Sequence, residues 1–334
     1  MRTGKLTNLE LQRIILSELG ANRGDVVLGA GVGEDCAAIR FGEEACVLST
    51  DPITAAGAKL GRLAVQVSVN DVAASGAEPL GVLLTVLAPP EATAEDIGAV
   101  VREAAREAAA QGVQIIGGHT EVTDAVRRMV LSATAVGRVK LEALVRTGGA
   151  RPGDALVMTK QAGLEGTAIL AQDAADRLRE SLTEEELREA RALCDSLSVL
   201  PEGRIAAHLE ASAMHDATEG GVLGAAWEMA EASGLGLRLR LESIPVRPVT
   251  RKLCAALGID PLRLIASGAM LIAHPDGEAL CAALREGGVE AAVIGAFTAA
   301  PERALLHDGR EEPLLPPEGD EIYGALKGLG GDHA

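Results

Sequence analysis

The apolar runs of this chain repeatedly end on, or are broken by, an acid beside a turn of small residues. GVGEDCAAI (31–39), LSTDP (48–52), VSVNDVAASGA (67–77), IIGGHTEV (115–122) and MHDATEGGV (214–222) share this form. An unpaired carboxylate among apolar neighbours is costly, so the chain must fold in a way that answers these acids. Acids next to backbone-exposing turns suit a site for divalent metal and polyphosphate. The packing around them is constrained as well. Apolar residues make up 48% of the 334, yet there is one Trp, one Tyr and two Phe. The cores must be built from Ala, Leu and Val, which lets helices approach closely.

The pattern predicts a helix over 7–19, with Thr7 as N-cap, Glu10 as its capping-box partner and Gly20 as its end. Residues 45–50 read as a buried strand, 60–74 as a helix interrupted by Ser68, Asn70 and Asp71, and 79–88 as a strand. Thr93 caps a long amphipathic helix to Ala110, with Asp96 as its third-position acid. Strands are expected at 113–118 and 129–139. RTGGARPGD (146–154) is the clearest punctuation in the chain. It sets expected domains at 1–148 and 149–327, with a disordered tail at 328–334. Beyond it, strands are expected at 155–159, 236–242, 269–274 and 291–297, and helices at 183–197 and in 216–234. Both halves mix strands with helices, so the expected class is α/β (α+β) in two domains.

A net charge of −17 argues against nucleic acid and against anionic membrane surfaces. It leaves a nucleotide open, because metal ions can supply local positive charge. MRTGKLTNLELQ has no apolar signal region, no stretch reaches the apolarity of a membrane span, and five cysteines lie scattered without CxxC spacing. A reduced, cytoplasmic protein is expected.

Each acidic segment has two readings. Asp35, after Gly33, is a metal ligand beside a phosphate-approaching loop or a solvated acid in a Gly-rich hairpin. Asp51, at the end of a buried strand, is a ligand or the Asx-turn residue before Pro52. Asn70 and Asp71 interrupt an apolar helix; a metal or ligand answers Asp71, or a buried Arg or backbone amides do. Gly117 and Gly118, read as following a strand, free amides for phosphate oxygens. His119, in front of Thr120 and Glu121, ligates metal, donates to phosphate or satisfies a turn. Asp216 and Thr218 stand before Gly220 and a helix start, where they bind anion or cap the helix. Cys36 is a nucleophile or a packed thiol.

Taken together, GxGxD (31–35), TDP (50–52), LAVQVSVNDVAASGAEP (63–79), GVQIIGGHTEV (112–122), DATEGGVLGAAWEMAEASGLG (216–236), IPV (244–246) and LGIDPL (257–262) resemble one superfamily. It contains aminoimidazole ribonucleotide synthetase, the hydrogenase maturation factor HypE, thiamine-monophosphate kinase and selenophosphate synthetase. The nearest likeness is to the HypE type, through DATEGG, E-x-A-E-x-S-G (228–234), IPV and LGIDPL in that order. The thiamine kinase has a more acidic DxSDG-type turn where this chain has DATEGG. Selenophosphate synthetase has a reactive Cys or selenocysteine near its N-terminal Lys, and none stands near Lys5. HypE proteins carry a C-terminal cysteine that accepts the carbamoyl group, whereas the last cysteine here is Cys281. His119 also replaces the Asp of a G-D-T motif.

The resemblance implies an aminoimidazole ribonucleotide synthetase-like fold whose N-terminal domain dimerises through its sheet. It implies ATP with Mg²⁺, and attack of an oxygen or other nucleophile on the γ-phosphate. Asp35, Asp51 and Asp71 would hold metal. Gly33, Asn70, Gly117, Gly118, Thr120, Asp216, Thr218 and Gly220 would contact nucleotide, and Asp71, His119 and Lys5 would serve the chemistry. The expected partners are ATP, an unidentified small or protein-borne acceptor, and maturation proteins. Two alternatives stand beside an ATP-dependent HypE-related enzyme: a small-molecule kinase of the thiamine-phosphate type, and a non-catalytic nucleotide-binding assembly protein.

Overall fold

The computed structural model describes residues 4–54 and 59–327. The expected tail at 328–334 lies outside the described residues. The chain divides into two units. One holds Asn22–Ala30 and Asp35–Leu144; the other holds the segment up to Ala21, Gly31–Glu34, and Val145 onward.

The first helical stretch differs from its expectation. Thr7 and Glu10 form the capping box, with Glu10 N–H donating to Thr7 Oγ1 and Thr7 N–H donating back to Glu10. Only α1 (Asn8–Glu10) is regular, however; Leu11–Ile15 is wound as a π-helix and Leu16–Glu18 as a 3₁₀ turn. Leu9, Ile14, Ile15 and Leu19 are exposed, and a short helix without a packed apolar face lacks most of what stabilises one.

In the N-terminal unit, β1 (Val26–Leu28), β2 (Ala37–Phe41), β3 (Glu44–Ile53), β4 (Glu78–Ala88), β5 (Gln114–Val122) and β6 (Val130–Lys140) form one sheet in the order β1-β2-β3-β6-β4-β5. Neighbours are antiparallel except β4 and β5, which run parallel. Helix α2 (Leu60–Ala74) packs on β3, β6 and β4, and α3 (Ala94–Ala110) crosses over between β4 and β5. The small residues set the spacing. A Cβ at Gly61 would lie 2.1 Å from Val100 O, so α2 and α3 touch through backbone. A Cβ at Gly137 on β6 would lie 2.3 Å from Val72 Cγ1 of α2. The face away from the helices carries Leu48, Leu83, Leu87 and Val136, none of them fully buried.

The second unit is a seven-stranded sheet in the order β13-β12-β9-β11-β7-β10-β8. From Ala155 its elements run β7 (Ala155–Thr159), α4 (Leu164–Asp173), α5 (Ala175–Leu178), α6 (Glu184–Ala192), α7 (Leu200–His208), β8 (Ala213–Asp216), α8 (Gly221–Ser233), β9 (Gly236–Arg240) and α9 (Pro248–Leu257). They continue with β10 (Met270–His274), α10 (Gly277–Glu286), β11 (Ala291–Thr298), β12 (Arg303–His307), β13 (Arg310–Pro313) and α11 (Glu321–Lys327). Only β9 and β12 pair in parallel. Leu156 and Met158 of β7 join the core under Val222, Ala226 and Met229 of α8. Val157 points the other way, toward α10, where a Cβ at Gly277 would lie 3.4 Å from Val157 Cγ2. The sheet is thus covered on both faces. The mixed α/β architecture agrees with the expected class. Among the described residues no helix is long and apolar enough to cross a membrane.

Candidate active site

The N-terminal unit brings two of the expected acids to one side of its sheet. Asp71 is 3% exposed in the middle of α2, and Ser49 Oγ of β3 donates to its Oδ2 at 2.5 Å. Ser49 is thus a partner that reading for a buried Arg or backbone amides did not foresee. Asp51 lies two residues on from Ser49, on the same helix-facing side of β3, and is half-buried. It stands within the strand opposite Ala133, not at its end. Asn70 is wholly buried, and Ser68 Oγ donates to Ala133 O at 3.1 Å. Ser68 and Asp71, three residues apart, therefore lie on the face of α2 that meets β3 and β6. Asp35 precedes β2 and is half-buried, with Cys36 buried beside it in sequence. The oxygens of Asp35, Asp51 and Asp71 do not form a set mutually within 4.8 Å. Mg²⁺ takes only one or two carboxylates and fills its shell with water and phosphate, so no single ion needs all three acids at once.

The Gly-Gly pair departs from its expected place. Gly117 and Gly118 lie inside β5, which runs on through His119, Thr120 and Glu121 to Val122. Gly118, with φ +145, is required by close approach: a Cβ there would lie 1.8 Å from Leu84 O of the paired strand. His119 and Thr120 are exposed on this edge strand, and His119 Nε2 lies 3.5 Å from Glu121 Oε2.

In the C-terminal unit, DATEGG spans the end of β8 and the start of α8. Asp216 is fully buried opposite Met270 of β10. Gly220 and Gly221 take positive φ, and a Cβ at Gly221 would lie 2.6 Å from Leu262 O. The amide at this helix start already has an anion: Gly220 N–H donates to Asp320 Oδ2 at 2.8 Å, and Ile322 N–H donates to Oδ1 at 2.9 Å. Lys5 comes to the same turn. Its N–H donates to Glu219 Oε2 at 3.0 Å, its Nζ lies 3.5 Å from Thr218 Oγ1, and Tyr323 OH donates to Glu219 Oε1 at 2.7 Å. Gly33, with φ +75, packs on α8, where a Cβ would lie 3.1 Å from Glu228 Cβ. Glu228 in turn meets His215 Nε2 at 3.2 Å and accepts from Asn8 Nδ2 at 3.2 Å.

Two acids here carry no site signal in the sequence, Glu165 and Asp320, while Glu219 stands with Asp216 and Thr218 in the turn before α8. Burial, aided by nearby carboxylates and opposed by hydrogen bonds, pushes Glu165 up to about 7 and Asp320 up to about 6. Tyr323 is pushed up by burial and by Glu219.

The family models fit this division. The model for "AIR synthase related protein, N-terminal domain" matches residues 33–139, and that for the C-terminal domain matches 151–308. A putative hydrogenase expression/formation protein of Methanocaldococcus jannaschii is 31% identical over 88% of this chain and 88% of its own. The carbamoyl dehydratase HypE of Cupriavidus necator is 33% identical over 79% of this chain and 74% of its own. The chain is a HypE-like member of the AIR synthase related family. A crystal structure of the hydrogenase maturation protein HypE in complex with ATP matches 95% of this HypE-like chain and 94% of its own, at 25% identity and TM-score 0.67. The HypE-like order of motifs read from the sequence is thereby upheld.

Proposed function

We propose that this chain is an ATP- and Mg²⁺-dependent enzyme of the HypE kind. It activates an oxygen of a small or protein-borne acceptor by transfer of the γ-phosphoryl group. The observation that carries this reading is the likeness, along 95% of the chain, to a HypE bound to ATP. Asp35, Asp51 and Asp71 would hold the metal, which when bound supplies charge neutralisation at phosphate oxygens. Ser49 fixes the Asp71 carboxylate by its hydrogen bond, so that acid is oriented before any ligand arrives. Gly33, Asn70, Gly117, Gly118, Thr120, Asp216, Thr218 and Gly220 would contact nucleotide. Lys5 brings a cation to Thr218, and His119 stands exposed for a donor's role. Leu80, Leu83 and Ile116, exposed along β4 and β5, support a homodimer through the N-terminal sheet. Maturation proteins of hydrogenase systems are the partners this reading implies.

Calorimetry with ATP and Mg²⁺ tests it. The wild type should bind, and Asp71→Asn, checked for an intact melting transition, should bind at least about tenfold more weakly, since a charge-assisted contact is lost. Equal affinity in the two proteins would remove Asp71 from the site. A stable phosphorylated small product in a metabolite screen would instead favour the kinase alternative.

A further inference from the structure

The two ends of the described chain meet on one side chain of the C-terminal unit. Glu219, the acid of the DATEGG turn, accepts from Lys5 N–H on Oε2 at 3.0 Å and from Tyr323 OH on Oε1 at 2.7 Å. Each carboxylate oxygen thus takes a donor from a different end of the sequence, and hydrogen bonds to a carboxylate are the stronger kind. Burial and Glu219 push the Tyr323 phenol up, so it stays protonated and keeps its role as donor. Tyr323 also carries the backbone before Lys5. Gly4 has φ +111, and a Cβ there would lie 2.6 Å from Tyr323 Cε2, so only glycine lays the chain this close to the ring. Further along, Asn8 Nδ2 donates to Glu228 Oε1 of α8 at 3.2 Å. The turn that receives these contacts is itself held from the C-terminal side, where Gly220 N–H donates to Asp320 Oδ2 at 2.8 Å.

Apolar packing does not hold this segment in place. No residue from Asn8 to Glu18 is buried, and Leu9 is 73% exposed. A short stretch of this kind near a chain end stays ordered only where specific contacts tie it down. What those contacts deliver is a cation. Lys5 Nζ lies 3.5 Å from Thr218 Oγ1, in the turn assigned above to nucleotide. That distance is at the outer edge of a hydrogen bond, too long to fix the ammonium by itself. The contacts of the backbone on either side of Lys Cα, at Glu219 and at the Tyr323 ring, set where the side chain starts and where it can reach.

We propose that Glu219 and Tyr323 are positioning residues that fasten the segment from Gly4 to Asn8 as a strap, and that the strap delivers the Lys5 ammonium to the phosphates of the nucleotide. This rests on the ATP reading above. Fastening and nucleotide binding are then linked, and each favours the other by the same factor. A seated strap holds the cation where phosphate charge arrives, and the phosphate rewards the ammonium only in the seated state. Glu219 acts through Lys5: its two oxygens accept from Lys5 and Tyr323.

The test is a double-mutant cycle read by calorimetry with ATP and Mg²⁺, on proteins checked for an intact melting transition. Lys5→Met should weaken ATP binding by about tenfold, the scale of one charge-assisted hydrogen bond. Tyr323→Phe removes one hydroxyl and keeps the ring under Gly4; it should weaken binding by about three- to tenfold, and Glu219→Gln should do the same. In the Lys5→Met background neither should weaken it by more than about a further twofold, because both act through the ammonium. Hydrogen exchange gives a readout independent of affinity. Without nucleotide, the amides of residues 5–12 should exchange faster in Tyr323→Phe and Glu219→Gln than in wild type. ATP with Mg²⁺ should slow them in wild type and not in Lys5→Met. If Tyr323→Phe and Glu219→Gln keep their full effect on affinity in the Lys5→Met background, they prop up the turn itself and the proposal fails. Wild-type affinity in all three single variants would overturn it and leave the ATP reading standing. A wild type that binds no ATP would overturn the parent reading, and the strap's role with it.

Discussion

Glu165 ties the stability of the protein to pH. Its ordinary value of 4.5 is pushed up to about 7 in the folded chain, first by burial. A raised carboxyl favours folding fully below its unfolded value and loses that contribution as pH climbs through its folded one. From about pH 4.5 to 7 the unfolded chain releases a proton that the folded chain keeps, which costs at most roughly 3 kcal/mol by linkage. Asp320, pushed from 3.8 up to about 6, acts in the same direction. Thermal melts at about pH 5 and pH 8 should show a falling Tm in the wild type and a flatter profile in Glu165→Gln, with the variant the more stable at the higher pH. A wild-type Tm that does not fall would contradict the raised titration. Legibility at this scale followed one rule. Asp71 is legible because it breaks an apolar helix. Glu165 in GLEGTAIL has the same signature but no Gly-rich turn beyond it to mark a site. Asp320 in PPEGDE has no such signature, since a polar loop does not announce that its acid is buried on a helix N-terminus.

The elements were legible where capping and period agreed. Helix α2 spans the residues read from its pattern, and α3 starts behind the Thr93–Asp96 capping box as expected. The strands missed are short or polar: β8 ends in His215–Asp216, and β13 is fully exposed. Strand β5 outran its expected end at Gly118 and continues to Val122, because its exposed polar edge residues His119, Thr120 and Glu121 carry no apolar signal. The small-residue composition did foretell close helix contact, and Gly61 is where it occurs. Replacing Gly61 by Ala sets a methyl group against Val100 O and Ala104 N. This should cost about 1–3 kcal/mol, as overpacking does. Urea unfolding should show a lower midpoint at unchanged slope. A midpoint within error of wild type would mean that α2 and α3 separate without loss.

At the scale of the whole molecule, the question is what covers the bare side of the N-terminal sheet. Helices α2 and α3 bury one face, so the other keeps apolar residues that an isolated domain would be expected to hide. Ile116 is 51% exposed and lies across Gly81, and Leu83 is 38% exposed and lies across Gly117, giving a ridge over the parallel β4–β5 pair. Strand β5 is also an edge strand, with unpaired backbone groups that invite a partner. A second copy of the chain answers both needs, since a two-fold pair would set ridge against ridge. Light scattering on the wild type should give twice the chain mass of 34.2 kDa. Ile116→Glu should fall to the single mass at micromolar concentration, because a charge placed at a desolvated contact is strongly unfavourable. The same variant should keep its melting transition, as Ile116 contributes little to the core of its own chain. A wild type that stays monomeric at high concentration, or an Ile116→Glu variant that stays dimeric, would place the contact elsewhere.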